Sequence, residues 1–135
     1  MLKEELIFNK IFGKYFIVFM SFSIFCSLLG MTMNLTAVFS NSKVMPVYPS
    51  EEFRNIHDFD VVKQSDRHIL VEDISNIKYT FLIDKYEFGD WIFSIGDIFL
   101  WLGVLICISG FFVYLNLHNF YFKLKHHNVP SSPHM

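Results

Sequence analysis

The chain has 135 residues, of which 53% are hydrophobic and 18% charged, with a formal net charge of −2. That balance lies on the apolar side of soluble composition and has no basic footprint, so nucleic-acid binding is excluded from the expected functions. Both cysteines, Cys26 and Cys107, fall inside apolar runs and are expected to be small packing residues, so a disulfide framework is excluded from the polar segment between the runs.

Residues 1–14 place Leu2, Leu6, Ile7, Ile11 and Phe12 near one side of a helix, with Lys3, Lys10 and Lys14 largely off it. This predicts a short amphipathic segment at the cytoplasmic interface or, equally, the first turns of a longer helix. The apolar run that follows is too long for a signal-peptide core and ends in no Ala-x-Ala site, so no cleaved signal is expected. Residues 15–39 read as a first transmembrane helix. Its small and polar positions Ser23, Ser27, Gly30 and Asn34 recur at spacings of four, three and four. Such a stripe lets a second helix approach closely in lipid.

Residues 40–90 form a polar loop, expected on the extracytoplasmic side. Pro46 and Pro49 stop helix from continuing, and Met45-Pro46-Val47 reads as an interfacial anchor. Ser50 is a candidate cap for a short helix. Near residues 67–84, the β-branched and aromatic runs Arg67–Asp73 and Ile77–Asp84 flank the polar turn Ile74-Ser75-Asn76, which predicts a β-hairpin.

Residues 91–117 contain an interfacial entry, Trp91-Ile92-Phe93, and a second transmembrane helix. Ile98–Leu117 is about 20 residues without a charge, enough to cross a hydrocarbon core of roughly 30 Å. Gly103, Cys107 and Gly110 repeat the four-then-three spacing of the first stripe. The expected fold is therefore a mainly α membrane protein, two antiparallel transmembrane helices joined by a loop that contains a β-hairpin. Residues 118–135 are a tail. Lys3, Lys10, Lys14, Lys123 and Lys125 flank the spans at the termini, whereas the loop holds six basic and ten acidic residues, so both termini are placed in the cytoplasm.

Few residues promise chemistry. Asp97 is either a charge inside the membrane, which would mark an ion or proton path, or the N-cap of a helix beginning at Ile98, with Gly96 allowing the turn before it. Asp90 and Asp97 are seven apart with Glu87 nearby, yet no nucleophile or oxyanion arrangement accompanies them. His118, His126, His127 and His134 lack the spacing of a metal site. No catalytic set, metal site or cofactor is expected.

The order of a first span ending near Asn34, a Met45-Pro46-Val47 loop, a His68–Asp84 segment and Ser94-Ile95-Gly96-Asp97 opening the next span resembles an uncharacterised bacterial inner-membrane family, a domain of unknown function, over about residues 30–115. The resemblance implies an integral membrane protein of the bacterial inner membrane. It also implies that Met45, Pro46 and Val47 share one conformational site with Ser94, Gly96 and Asp97. The expected function is that of a small non-enzymatic accessory, immunity-like or assembly protein, partnered by the lipid bilayer and by a membrane protein or a second copy of itself. The alternative is a subunit of an oligomeric transporter or ion-conducting complex, with Asp97 in the pathway.

Overall fold

The computed structural model describes residues 2–57, 59 and 66–127. Two long helices, α1 (Leu2–Ser40) and α3 (Ile95–His127), frame a cap. The cap consists of β1 (Met45–Val47), a short helix α2 (Glu51–Ile56), β2 (His68–Leu70), β3 (Tyr86–Phe88) and β4 (Trp91–Phe93).

Each long helix contains a 29-residue stretch, Phe12–Ser40 and Ile95–Lys123, that is long and apolar enough to cross a membrane. At about 1.5 Å per residue, each stretch reaches some 43 Å, beyond the roughly 30 Å of a hydrocarbon core. Only 17% and 11% of their most apolar windows are buried, the opposite of a helix enclosed in a soluble core. No break separates residues 2–14 from the rest of α1, so they are its first turns. At the other end α3 runs on past Leu117 to His127, so the first part of the expected tail is helical, while His134 lies outside the described residues.

The chain leaves α1 before the prolines act. Ser42 (φ 61°) and Lys43 (φ 66°) are both left-handed, and the amides of Asn41 and Lys43 return to the Val38 carbonyl at 3.2 and 3.0 Å. The reversal delivers Met45-Pro46-Val47 as a buried central strand. β1 pairs with β2 in parallel, Met45 opposite His68 and Val47 opposite Leu70, and its other edge is bridged to Asp84. On that second edge the Asp84 amide donates to the Pro46 carbonyl (3.1 Å) and the Tyr48 amide donates to the Asp84 carbonyl (2.8 Å). Alternation along a strand puts the missing amide of Pro46 on the Asp84 side, where the ladder is one bridge long, so proline is accommodated in a middle strand.

The hairpin expected near 67–84 is not formed. Its first arm is taken by β1, and its second arm is a succession of turns whose backbone groups find other partners. The Asp73 carboxylate accepts from the Ser75 amide (2.9 Å) and hydroxyl (2.6 Å), and the Leu82 amide donates to Tyr79, itself left-handed at φ 54°. Most decisively, the Asn41 side chain stands in for a strand partner. Its Oδ1 accepts from the Lys78 amide (2.9 Å) and its Nδ2 donates to the Lys78 carbonyl (3.0 Å). The hairpin of this protein is instead β3–β4, with Phe88 opposite Trp91 and Gly89 at φ 57° in the two-residue connection.

Ser50 does cap α2, its Oγ accepting from the Phe53 amide at 3.2 Å. The same serine donates from amide and hydroxyl to the two carboxylate oxygens of Glu87, tying α2 to β3. Beneath the cap, Ala37, Met45 and Leu82 pack together with Met33 and Val38, seating the cap on the last turns of α1.

Candidate functional site

The two long helices meet antiparallel along one seam. On α1 the facing positions are Phe16, Met20, Ser23, Ser27, Gly30 and Asn34, and on α3 they are Gly96, Leu100, Gly103, Cys107, Gly110 and Tyr114. Both series alternate steps of three and four, the repeat of a left-handed helix pair. A Cβ on Gly30 would fall onto the Gly96 carbonyl and within 2.8 Å of the Leu100 amide nitrogen; one on Gly103 would meet Ser27 Oγ and lie 2.9 Å from the Ser23 carbonyl. Ser23 Oγ donates to the Gly103 carbonyl at 2.7 Å, Cys107 lies 4.0 Å from Met20 through sulfur, and Gly110 faces Phe19. The structure thus places Ser23, Ser27, Gly30 and Asn34 against Gly103, Cys107 and Gly110, and adds Gly96. Gly96 does not make the turn expected before Ile98. It lies inside α3 because Gly30 and Asn34 leave no room for a side chain.

Where seam meets cap, three polar side chains close on one another. Helix α3 begins at Ile95, one residue after Ser94, whose Oγ accepts from the Asp97 amide (3.1 Å) while Asp97 Oδ2 accepts from the Ser94 amide (3.0 Å). This is a reciprocal capping box, with Ser94 as the cap and Asp97 three residues on, rather than Asp97 capping a helix that starts at Ile98. The acid also complements the positive end of the helix dipole. Asn34 Nδ2 then donates to Asp97 Oδ1 (2.7 Å), and the single proton of the Ser94 hydroxyl is shared between Asn34 Oδ1 and Asp97 Oδ2, both 2.8 Å away. Ser94 is fully buried.

Along the second edge of Met45-Pro46-Val47 lies Asp84. It bridges Val47, and its carboxyl is raised to about 7, first by burial and then by the negative charge of Asp97. Asp84 lies at the floor of a cleft of about 340 Å³ lined by Val47, Phe53, His57, Phe59, His68, Asp90 and Ile92. It is 8% exposed, and its Oδ1 has no hydrogen-bond partner among the described residues. His68 Nε2 stands 3.9 Å from Asp84 Oδ2, and at the rim His57 Nε2 stands 3.9 Å from the exposed Asp90. Asp90 and Glu87 do not form the carboxylate pair that helical spacing would make with Asp97, because they belong to the β3–β4 hairpin. Asp84 passed unremarked in the sequence, since it is one acid among ten in the loop and only a non-local bridge to Val47 buries it.

Among the described residues, no group of three or more His, Cys, Asp or Glu is arranged to hold a metal ion. The side chains of His126 and His127 and the whole of His134 lie outside the described positions.

No curated protein and no solved structure matches the chain. The model of a family of unknown function, DUF5317, matches residues 7–109, from the early turns of α1 to the middle of α3, and the chain belongs to that family.

Proposed function

For this member of a family that brings no activity with it, we propose a non-enzymatic role: a two-span protein of the bacterial inner membrane that holds a folded cap at the outer surface for a membrane partner or a second copy. The observation that carries this reading is the division of labour between seam and cap. One stripe of each long helix is used up in the seam, and the rest of the helix surface is bare and apolar, with Ile17, Val18, Phe25, Leu105 and Phe112 all more than half exposed. Such surfaces suit lipid or another span. Polar groups with unmet capacity are found in the cap.

The engagement of Asp97 supports the accessory reading over a conducting one. Its two oxygens are both held by Asn34 and Ser94 of the same chain, which suits a structural lock better than a residue exchanging ions. Both termini are assigned to the cytoplasm on the lysine distribution.

Two measurements in intact cells test the proposal. A cysteine introduced at exposed Glu72, in a chain lacking Cys26 and Cys107, is expected to react with an impermeant maleimide from outside, whereas one at Lys14 is not. Crosslinking in native membranes is expected to capture a partner or a dimer. Labelling of position 14 but not 72, or a strictly solitary monomer, overturns the reading.

A further inference from the structure

The cleft of the cap ends on a carboxylate whose Oδ1 is satisfied by no donor among the described residues. Asp84 is anchored by its own amide and carbonyl to Pro46 and Tyr48, which fixes its backbone against β1. Its Oδ1 is buried with no donor among the described residues, and its Oδ2 lies 3.9 Å from His68 Nε2, beyond hydrogen-bond reach. Val47, Phe53 and Phe59, all buried, and Ile92 form the apolar and aromatic part of its lining, and His57, His68 and Asp90 the polar part. A buried acceptor in a roomy, partly apolar cleft is an arrangement completed by a donor from outside.

We propose that this cleft binds a small primary ammonium compound, its –NH₃⁺ set against Asp84 and its short apolar body lying between Phe53, Phe59 and Ile92. An ammonium brings three donors and a charge to an acceptor-only group. Aromatic faces favour a cation over a neutral donor of the same shape. The loop that forms the cap carries ten acidic residues against six basic ones, which draws cations toward it. A metal ion is the poorer occupant, because among the described residues no three ligating side chains converge. The proposal rests on the cap being a presenting platform, as argued above.

The site is pH-dependent in a defined direction. The groups that face Asp84 are His68 from β2 and Asp97 from the start of α3, with His57 after α2 and Asp90 in the β3–β4 turn lining the same cleft. Burial and Asp97 hold the Asp84 carboxyl at about 7, so it gains a proton as pH falls through neutrality. An alkylammonium, with a pKa near that of lysine at about 10.4, stays charged throughout. Affinity therefore falls from pH 8 to pH 6.

The test is a titration of the full chain in lipid nanodiscs with n-butylammonium chloride, followed by backbone amide shifts in the cap. Saturable shifts are expected around Val47, Asp84 and Lys85, with no such response to 1-butanol. Affinity should drop about tenfold in Asp84→Asn and about tenfold from pH 8 to pH 6 in the wild type only. Ile92→Trp, which fills the cleft from a half-buried strand position, should weaken binding about fivefold without touching the carboxylate. Shifts that never saturate, an equal response to 1-butanol, affinity unchanged in both variants, or saturation by zinc chloride in place of the amine overturns the proposal. Maleimide labelling and crosslinking are read separately, so a failed titration leaves the membrane assignment standing, and the reverse holds too.

Discussion

The seam and the cap are held together by opposite means. Along the seam, cohesion comes from how closely two backbones approach. Gly30, Gly96 and Gly103 remove the side chains that would keep the helices apart, and a single hydroxyl bond, Ser23 to Gly103, is added in the lower part. In the cap, a buried apolar group that includes Met45, Val47, Phe53, Leu82 and Ile83 is tied down by side chains that satisfy distant backbone: Asn41 on Lys78, Glu87 on Ser50, Arg54 on the Val71 carbonyl. The first kind of cohesion is periodic and tolerates no added atoms at Gly30, Gly96 and Gly103. The second is a set of single bonds, each removable at a moderate cost.

The contrast can be broken most sharply at Gly103. Gly103→Val would force its new Cβ onto Ser27 Oγ and to within 2.9 Å of the Ser23 carbonyl and 3.0 Å of the Ser27 amide nitrogen; the hydroxyl can rotate away but the helix backbone cannot, so loss of helix pairing is expected, at a cost of about 3 kcal/mol or more. Thermal unfolding in detergent, followed by circular dichroism, would show it. In the cap, Asn41→Ala removes both bonds to Lys78 and one to the Ala37 carbonyl, and should destabilise by about 1–3 kcal/mol while the helix pair stays intact. Hydrogen exchange would place the loss at residues 77–80. Should exchange accelerate equally along α1 and α3, the two regions are one cooperative unit.

Asp84→Asn tests the cap from the other direction. Because the folded-state pKa lies above the ordinary aspartate value of 3.8, at about 7, the folded protein holds this proton more tightly than the unfolded chain does. Below 3.8 both states are protonated and the residue costs nothing; from there to about 7 native stability falls as pH rises, and above 7 the full cost of burying the charge is present. The substitution should therefore raise the unfolding temperature by several degrees at pH 8, with the gain vanishing near pH 4. A gain independent of pH would mean that the buried charge is not the cause.

Asp97→Asn is milder. The amide keeps an acceptor for the Ser94 amide but sets an –NH₂ against Asn34 and removes the charge from the helix start, so about 1 kcal/mol of stability is expected to go. The smallest effect belongs to Gly110→Ala. There a Cβ would lie 3.4 Å from that of Phe19, at the edge of ordinary contact, so a change within about 0.5 kcal/mol is expected, in contrast to Gly103 one heptad earlier.

What could be read from the amino-acid sequence follows the same division. The stripe Ser23, Ser27, Gly30, Asn34 is local and periodic, so spacing alone exposes it. Gly96 belongs to the seam by the same repeat, seven before Gly103, yet its place beside Ser94 and Asp97 suggests a turn. In the cap the decisive partners are far apart: Asn41 and Lys78 are separated by 37 residues, and no pattern announces that one will mimic a strand for the other. The β3–β4 hairpin did carry a local mark, the Gly89-Asp90 pair between two aromatic triplets, but the β-branched run at 77–84 was the stronger strand signal. Asp84 had none, because its burial depends on the bridge to Val47.

One further consequence lies in the bond set joining Asn34, Ser94 and Asp97. A glycine every seven residues on α3 offers the same smooth surface three times, at Gly96, Gly103 and Gly110, so a helix pair built on it alone could slide by two turns, about 10.5 Å, and still close. The polar triad has no second copy. A single polar position is known to choose among otherwise equivalent helix alignments, and here the triad selects the one alignment in which α3 starts level with the Asn34 turn. That selection sets the height at which β4 enters and Asp84 is walled in.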